Sequence, residues 1–97
     1  GVYIMASITN PTGRKTQAHV VTIGANRYFF SYETCIAFHG IANHTPEHGG
    51  KPEIAKVRLD NHWGPTTGKH FRELGCSNFD VVSPELFDKI VNNSIVR

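Results

Sequence analysis

The segment Gly64-Pro-Thr-Thr-Gly68-Lys69-His70 gathers residue types that hold phosphate: two glycines, two hydroxyls and a lysine where a helix should begin. Unpaired N–H groups and the positive end of a helix dipole favour an anion at such a place. A nucleotide-hydrolysing loop needs Gly-x4-Gly-Lys-Ser/Thr. Here three residues separate the glycines, and His70 stands where a magnesium-binding hydroxyl is required. A parallel strand–helix–strand setting is not expected either. Nucleotide hydrolysis is therefore excluded, and what remains is an anion site built from Thr66, Thr67, Gly68, Lys69 and His70. The competing explanation is packing. Gly68 in a first helical turn costs about 1 kcal/mol relative to Ala, which is tolerable if Trp63 or a strand must approach the helix start.

Metal and nucleophile chemistry find less support. His39, His44 and His48 gather around one loop, and His62 and His70 flank Trp63. A zinc site needs three or four converging ligands, and Pro46 opposes the helix that would align His44 with His48. The two cysteines, Cys35 and Cys76, form no C-x2-C pair. No metal and no cofactor are expected. Cys35 falls in an apolar strand, and Cys76 follows a helix C-terminus whose dipole disfavours a thiolate. Both read as reduced, buried thiols, a single disulfide between them being the alternative. Gly-x-Ser-x-Gly, paired-carboxylate and His-x-Glu patterns do not occur, so the chain reads as a non-enzyme.

Binding chemistry remains. Lys56 and Arg58 project from one face of a strand, and a sheet that offers basic and aromatic side chains can read a groove or stack bases. Lysines on a solvated face also serve to oppose edge aggregation. A net charge of +2 is too weak to argue nucleic acid from electrostatics alone. Tyr28, Phe30, Tyr32 and Trp63 form a second candidate surface, for a protein partner or another copy of the chain, unless they fill the core instead.

The elements that must position these residues follow from period and punctuation. Ninety-seven residues, 39% hydrophobic and 19% charged, suit one domain with a modest core. Strands are expected at about 19–23, 27–32, 34–39 and 53–59, with Gly24-Ala-Asn26 as a hairpin loop. Period two puts Tyr28, Phe30 and Tyr32 on one face, and separates Thr34, Ile36 and Phe38 from Cys35, Ala37 and His39. Ala55, Val57 and Leu59 should face the core while Lys56 and Arg58 face solvent. Residues 40–52, with two prolines and three glycines, read as a loop.

Two helices complete the order. One spans about 65–74, with Pro65 in its first turn, a Thr66 or Thr67 hydroxyl as cap, an apolar stripe at Phe71 and Leu74, and Gly75 just past its end. The other spans about 84–92, capped by Ser83 and carrying Leu86, Phe87, Ile90 and Val91 on one stripe. Residues 79–82 between them read as a short strand or an extended link, and Ile95-Val96 as a tail that tucks back. Strands followed by helices predict an α+β fold: an antiparallel sheet of three to four strands, covered on one face. Residues 1–18 read as an N-terminal arm with one short strand near 3–8, and 19–97 as the domain. Met5, the single methionine, reads as the native start. No apolar run is long enough to cross a bilayer and none has a signal-peptide pattern, so a cytoplasmic protein without membrane association is expected.

Two strings are distinctive. Phe30-Ser-Tyr-Glu-Thr-Cys-Ile-Ala-Phe38 and Asn61-His-Trp-Gly-Pro-Thr-Thr-Gly-Lys-His70 resemble the F-S-Y-x-T-x-x-A-F and N-x-W-x-x-T-T-G-K-H segments of a group of small uncharacterised proteins of tailed bacteriophages. The resemblance covers roughly residues 20–75, and the loop at 40–52 is longer than that group leads one to expect. It assigns no catalytic or binding residue. It implies an origin in a phage or prophage and action in a bacterial cytoplasm. Together with the residues, it points to an accessory protein that acts by binding protein or itself, with nucleic-acid binding through Lys56, Arg58 and the helix start as the alternative.

Overall fold

Alternating apolar residues and two tight turns write the centre of the molecule, a computed structural model that describes residues 6–9, 18–43 and 50–95. In chain order the elements are β1 (Ala6–Thr9), β2 (Ala18–Ile23), β3 (Asn26–Ser31), β4 (Thr34–Ala42), β5 (Glu53–Leu59), α1 (Pro65–Glu73), β6 (Asp80–Val82) and α2 (Pro84–Asn92). The α+β class, four of the strands and both helices match the expectation closely. The sheet does not. It has six strands in sequential order β1 to β6, antiparallel from β1 through β5, with β6 parallel to β5. An antiparallel sheet of three to four strands is therefore corrected to a mixed sheet of six.

The added edges are the shortest strands. Ala6–Thr9, within the expected arm, pairs with β2; the remainder of residues 1–17, Met5 included, lies outside the described residues. Asp80–Val82 is three residues long, too short for a period to declare itself. Its pairing makes β5–α1–β6 a parallel strand–helix–strand unit, contrary to the expected setting of the glycine-bearing segment. β4 also runs on through Gly40–Ala42, where a loop was expected. Of that loop, residues 44–49, with His44 and His48, lie outside the described residues.

Period two fails once, inside β4. Phe29 pairs with Ala37 but Phe30 with Cys35, leaving Ile36 as an extra residue. This bulge puts Ile36 and Ala37 into the same core, while Cys35 and Phe38 go to the other. The expected grouping of Ile36 with Phe38 is thus corrected: an inserted residue shifts the alternation by one.

The two cores lie on opposite faces of the sheet. Val20, Phe29, Ile36 and Ala37 pack against Phe71 of α1, with Cys76 and Phe79 from the segment that follows it. Tyr28, Phe38, Ala42, Val57 and Leu59 pack against Phe87 and Ile90 of α2. The sheet is covered by one helix on each face, not on one face alone.

Local chemistry accounts for the joints. Gly24, at φ 60, opens the two-residue β2–β3 turn, the place glycine takes in a type II′ hairpin. Ser83 Oγ accepts from the Leu86 N–H at 3.2 Å as the α2 cap. Helix α1 ends with Cys76 N–H on Phe71 C=O at 3.0 Å and Gly75 N–H on Arg72 C=O at 3.1 Å, with Gly75 at φ 74: a Schellman closure. The tail docks as expected at Ile95, whose N–H donates to Ile41 C=O at 2.8 Å; Val96 lies outside the described residues.

Candidate functional site

Helix α1 begins without a side-chain cap. Gly64 is its N-cap, and neither Thr66 nor Thr67 supplies the expected hydroxyl. Asn61 organises the turn instead. Its Oδ1 accepts from the Trp63 and Gly64 N–H groups at 3.2 and 3.3 Å, and its Nδ2 donates to Gly64 C=O at 3.0 Å. A Cβ on residue 68 would stand 3.0 Å from Asn61 Nδ2. Gly68 is therefore explained by the approach of Asn61, not of Trp63. The carboxamide oxygen accepts from two N–H groups of the loop, in the way that a bound anion would.

The other anion-site residues scatter. Lys69 is exposed and pairs with Glu73 one turn on, at 3.5 Å. Thr66 is exposed and Thr67 buried. His70 is only 2% exposed; its Nδ1 lies 2.6 Å from Ser31 Oγ, and its ring meets Tyr32 edge-on at 5.5 Å. It ties α1 to the β3–β4 turn rather than reaching solvent. Lys56 and Arg58 share a sheet face, but that face is not simply solvated. The Arg58 guanidinium lies 4.4 Å over the Phe71 ring of α1, with its buried Nε lacking a hydrogen-bond partner. Lys56 Nζ sits 5.2 Å over Phe79.

The expected aromatic surface also divides. Tyr28 is half-buried between Phe38, at 5.2 Å, and Ser94, whose Oγ is 2.8 Å from its hydroxyl. Phe30 stacks on His19 at 5.0 Å. Tyr32 and Trp63, by contrast, remain 47% and 43% exposed. Trp63 stacks on His62 at 3.9 Å. Tyr32 holds φ 54, the one described residue other than glycine with positive φ. It stands first in a two-residue hairpin turn, the position that glycine fills at the β2–β3 turn, and this conformation costs a side chain about 1–2 kcal/mol.

Between the two rings is a notch of about 90 Å³, lined by Ser31, Tyr32, Thr34, Ile36, Trp63 and Thr67. Four of these come from the β3–β4 hairpin and two from the Trp63 turn and α1, so the two distinctive strings of the sequence meet here. The sequence pointed to Tyr32 and Trp63 but not to their meeting, and gave no sign of Ser31 or Thr34. A strained turn at a non-glycine residue leaves no mark in composition or period.

A family model described as a family of unknown function, DUF8033, matches residues 3–89. The chain belongs to DUF8033. The match takes in all six strands and most of α2. No curated protein and no solved structure matches the chain significantly. The two thiols complete the inventory. Burial pushes both Cys35 and Cys76 up to about 11, and both are free. Among the described residues no group of three or more His, Cys, Asp and Glu side chains could hold a metal, and no helix is long and apolar enough to cross a membrane.

Proposed function

We propose that this DUF8033 protein acts by binding rather than catalysis, and that it receives an extended segment of a partner protein at the Tyr32–Trp63 notch. The observation that carries this reading is the pair of exposed aromatic rings on either side of a small concavity, one of them on a strained turn. Strain of that kind persists only where the surrounding structure enforces it, and it gathers at ligand clamps. About 90 Å³ is far below the roughly 300–1,000 Å³ of a small-molecule or cofactor site, but it is enough for one small apolar side chain. Aromatic-lined grooves take extended, proline-containing segments in this manner. One further point favours binding over catalysis: burial holds both thiols in their protonated form at neutral pH.

The resemblance of the two strings to segments of small tailed-bacteriophage proteins supports an accessory role in a bacterial cytoplasm. Selection of a displayed random-peptide library on the full chain tests the binding reading. Selected peptides should carry a small apolar residue or proline and lose about tenfold or more in affinity on Trp63→Ala or Tyr32→Ala, or about 1.4 kcal/mol. Selected peptides that bind both variants as tightly as the parent, or a failure to select any peptide, would overturn it. Sedimentation velocity of the same three proteins separates a foreign segment from a second copy of the chain as the occupant.

A further inference from the structure

At the other end of the same sheet face, about four residues and roughly 13 Å along β3 from Ser31, three basic side chains line up across three strands. The pairing register sets Arg27 beside His39, and His39 beside Lys56. Residues paired directly across strands share a face, and two strand spacings give the row a length of about 10 Å. Arg27 and Lys56 are exposed, and His39 is partly so.

Each head group is steadied from below by an aromatic ring. The Arg27 guanidinium lies 5.6 Å over Phe29, Lys56 Nζ lies 5.2 Å over Phe79, and the His39 ring meets Phe79 edge-on at 5.8 Å. Arg27 Nη2 lies 3.3 Å from His39 Nδ1. The guanidinium can only donate, so Nδ1 accepts, and His39 carries its proton on Nε2. Arg27 and Lys56 form no ion pair with a carboxylate among the described residues; the ion pair there joins Lys69 to Glu73. The charged groups that bear on His39 are Arg27 from β3 and Lys56 from β5, and together with partial burial they lower its pKa. A cationic row that holds its histidine neutral lacks a counter-charge.

We propose that the Arg27–His39–Lys56 row is a binding site for a phosphate group. A phosphate oxygen accepts from the Arg27 fork, the Lys56 ammonium and the His39 Nε2–H, three donors already fixed over rings and so costing little entropy to order. Neither Arg58, stacked beneath α1, nor the α1 start, where Asn61 occupies the loop N–H groups, belongs to the site. The row stands apart from the Tyr32–Trp63 notch and does not depend on the peptide reading.

The group can come from free phosphate or from the backbone of a single-stranded polynucleotide, and two probes separate these sources. The His39 ring resonances of the full chain are followed by NMR at low salt, with inorganic phosphate in one arm and a single-stranded DNA oligonucleotide in the other. Binding should shift the His39 signals and raise its pKa, because an anion favours the imidazolium. Arg27→Ala/Lys56→Ala, both at exposed positions, should weaken the response about tenfold or more, whereas Lys69→Ala should leave it intact. A response to both probes, tighter for the oligonucleotide and falling steeply with salt, assigns the phosphate to a polynucleotide; a response to inorganic phosphate alone assigns a free anion. If neither probe moves His39, or if the folded double variant responds like the parent, the proposal fails.

Discussion

At the scale of single residues, the sharpest feature is a tyrosine where a hairpin would ordinarily place glycine. Tyr32 at φ 54 bears a Cβ that crowds its own backbone, and its ring is set against His70 and the notch. Two substitutions separate these roles. Tyr32→Ala and Tyr32→Gly both delete the ring, but only glycine also relieves the backbone. Tyr32→Gly should therefore be more stable than Tyr32→Ala by about 1 kcal/mol in urea unfolding, while both lose the notch's binding equally. Equal stabilities would mean that the turn relaxes to negative φ once the ring is gone. Asn61 shows the converse economy. Its carboxamide orders the loop before α1 by accepting from the Trp63 and Gly64 N–H groups, two donors that an anion in this loop would use, while the helix itself carries no side-chain cap.

At the scale of elements, the joint between β3, β4 and the C-terminal tail depends on Asn26 and Gly40. Asn26 is fully buried. Its Oδ1 accepts from Ile41 N–H at 2.8 Å, and its Nδ2 donates to Ile95 C=O at 2.9 Å. A Cβ on residue 40 would collide with the Asn26 side chain and come within 2.9 Å of its Cα. Gly40→Ala should cost about 2–3 kcal/mol, and Asn26→Ala about 1–3 kcal/mol for the buried partners left unpaired. The double variant should cost less than the sum, since part of the collision disappears with the side chain; chemical denaturation of the three proteins measures this, and strict additivity would refute the packing account. None of this joint can be read in sequence, because it links residues 69 positions apart. What could be read was local: the Ser83-Pro84 start of α2, the stop at Gly75, and the alternation along β3 and β5. The bulge at Ile36 and the three-residue β6 escaped because one adds a single residue to a regular pattern and the other is too short to have a pattern. The division of the aromatic residues escaped for a related reason. Period two assigns Tyr28, Phe30 and Tyr32 to one face, and this is corrected at Tyr32: it lies in the hairpin turn at φ 54 and its ring meets His70 of α1, whereas Tyr28 packs on the α2 face beside the tail.

At the scale of the whole molecule, a helix on each face of the sheet leaves both thiols largely out of water, and this ties stability to pH. Cys35 and Cys76 are raised from their ordinary 9 to about 11, chiefly by burial. In the unfolded chain they ionise near 9 and in the folded one near 11, so between these values the folded state binds more protons. The stabilisation is therefore complete below pH 9 and is lost as pH rises towards 11, each thiol contributing a slope of at most about 1.4 kcal/mol per pH unit. His39 acts at the other end with opposite consequence. Its folded pKa lies below 6.5, because burial and the neighbouring Arg27 and Lys56 disfavour its charge. Stability is then full above 6.5 and declines as pH falls towards the lowered value, shallowly, since the ring is partly exposed. Urea unfolding across this range should show a plateau between about pH 6.5 and 9 with a fall on either side. The decisive comparison is internal. The Cys35→Ala/Cys76→Ala variant should be less stable at pH 7 through lost packing, yet its decline between pH 9 and 11 should be flatter than the parent's. Parallel alkaline declines in the two proteins would show that the thiols are not held from solvent by the packing described.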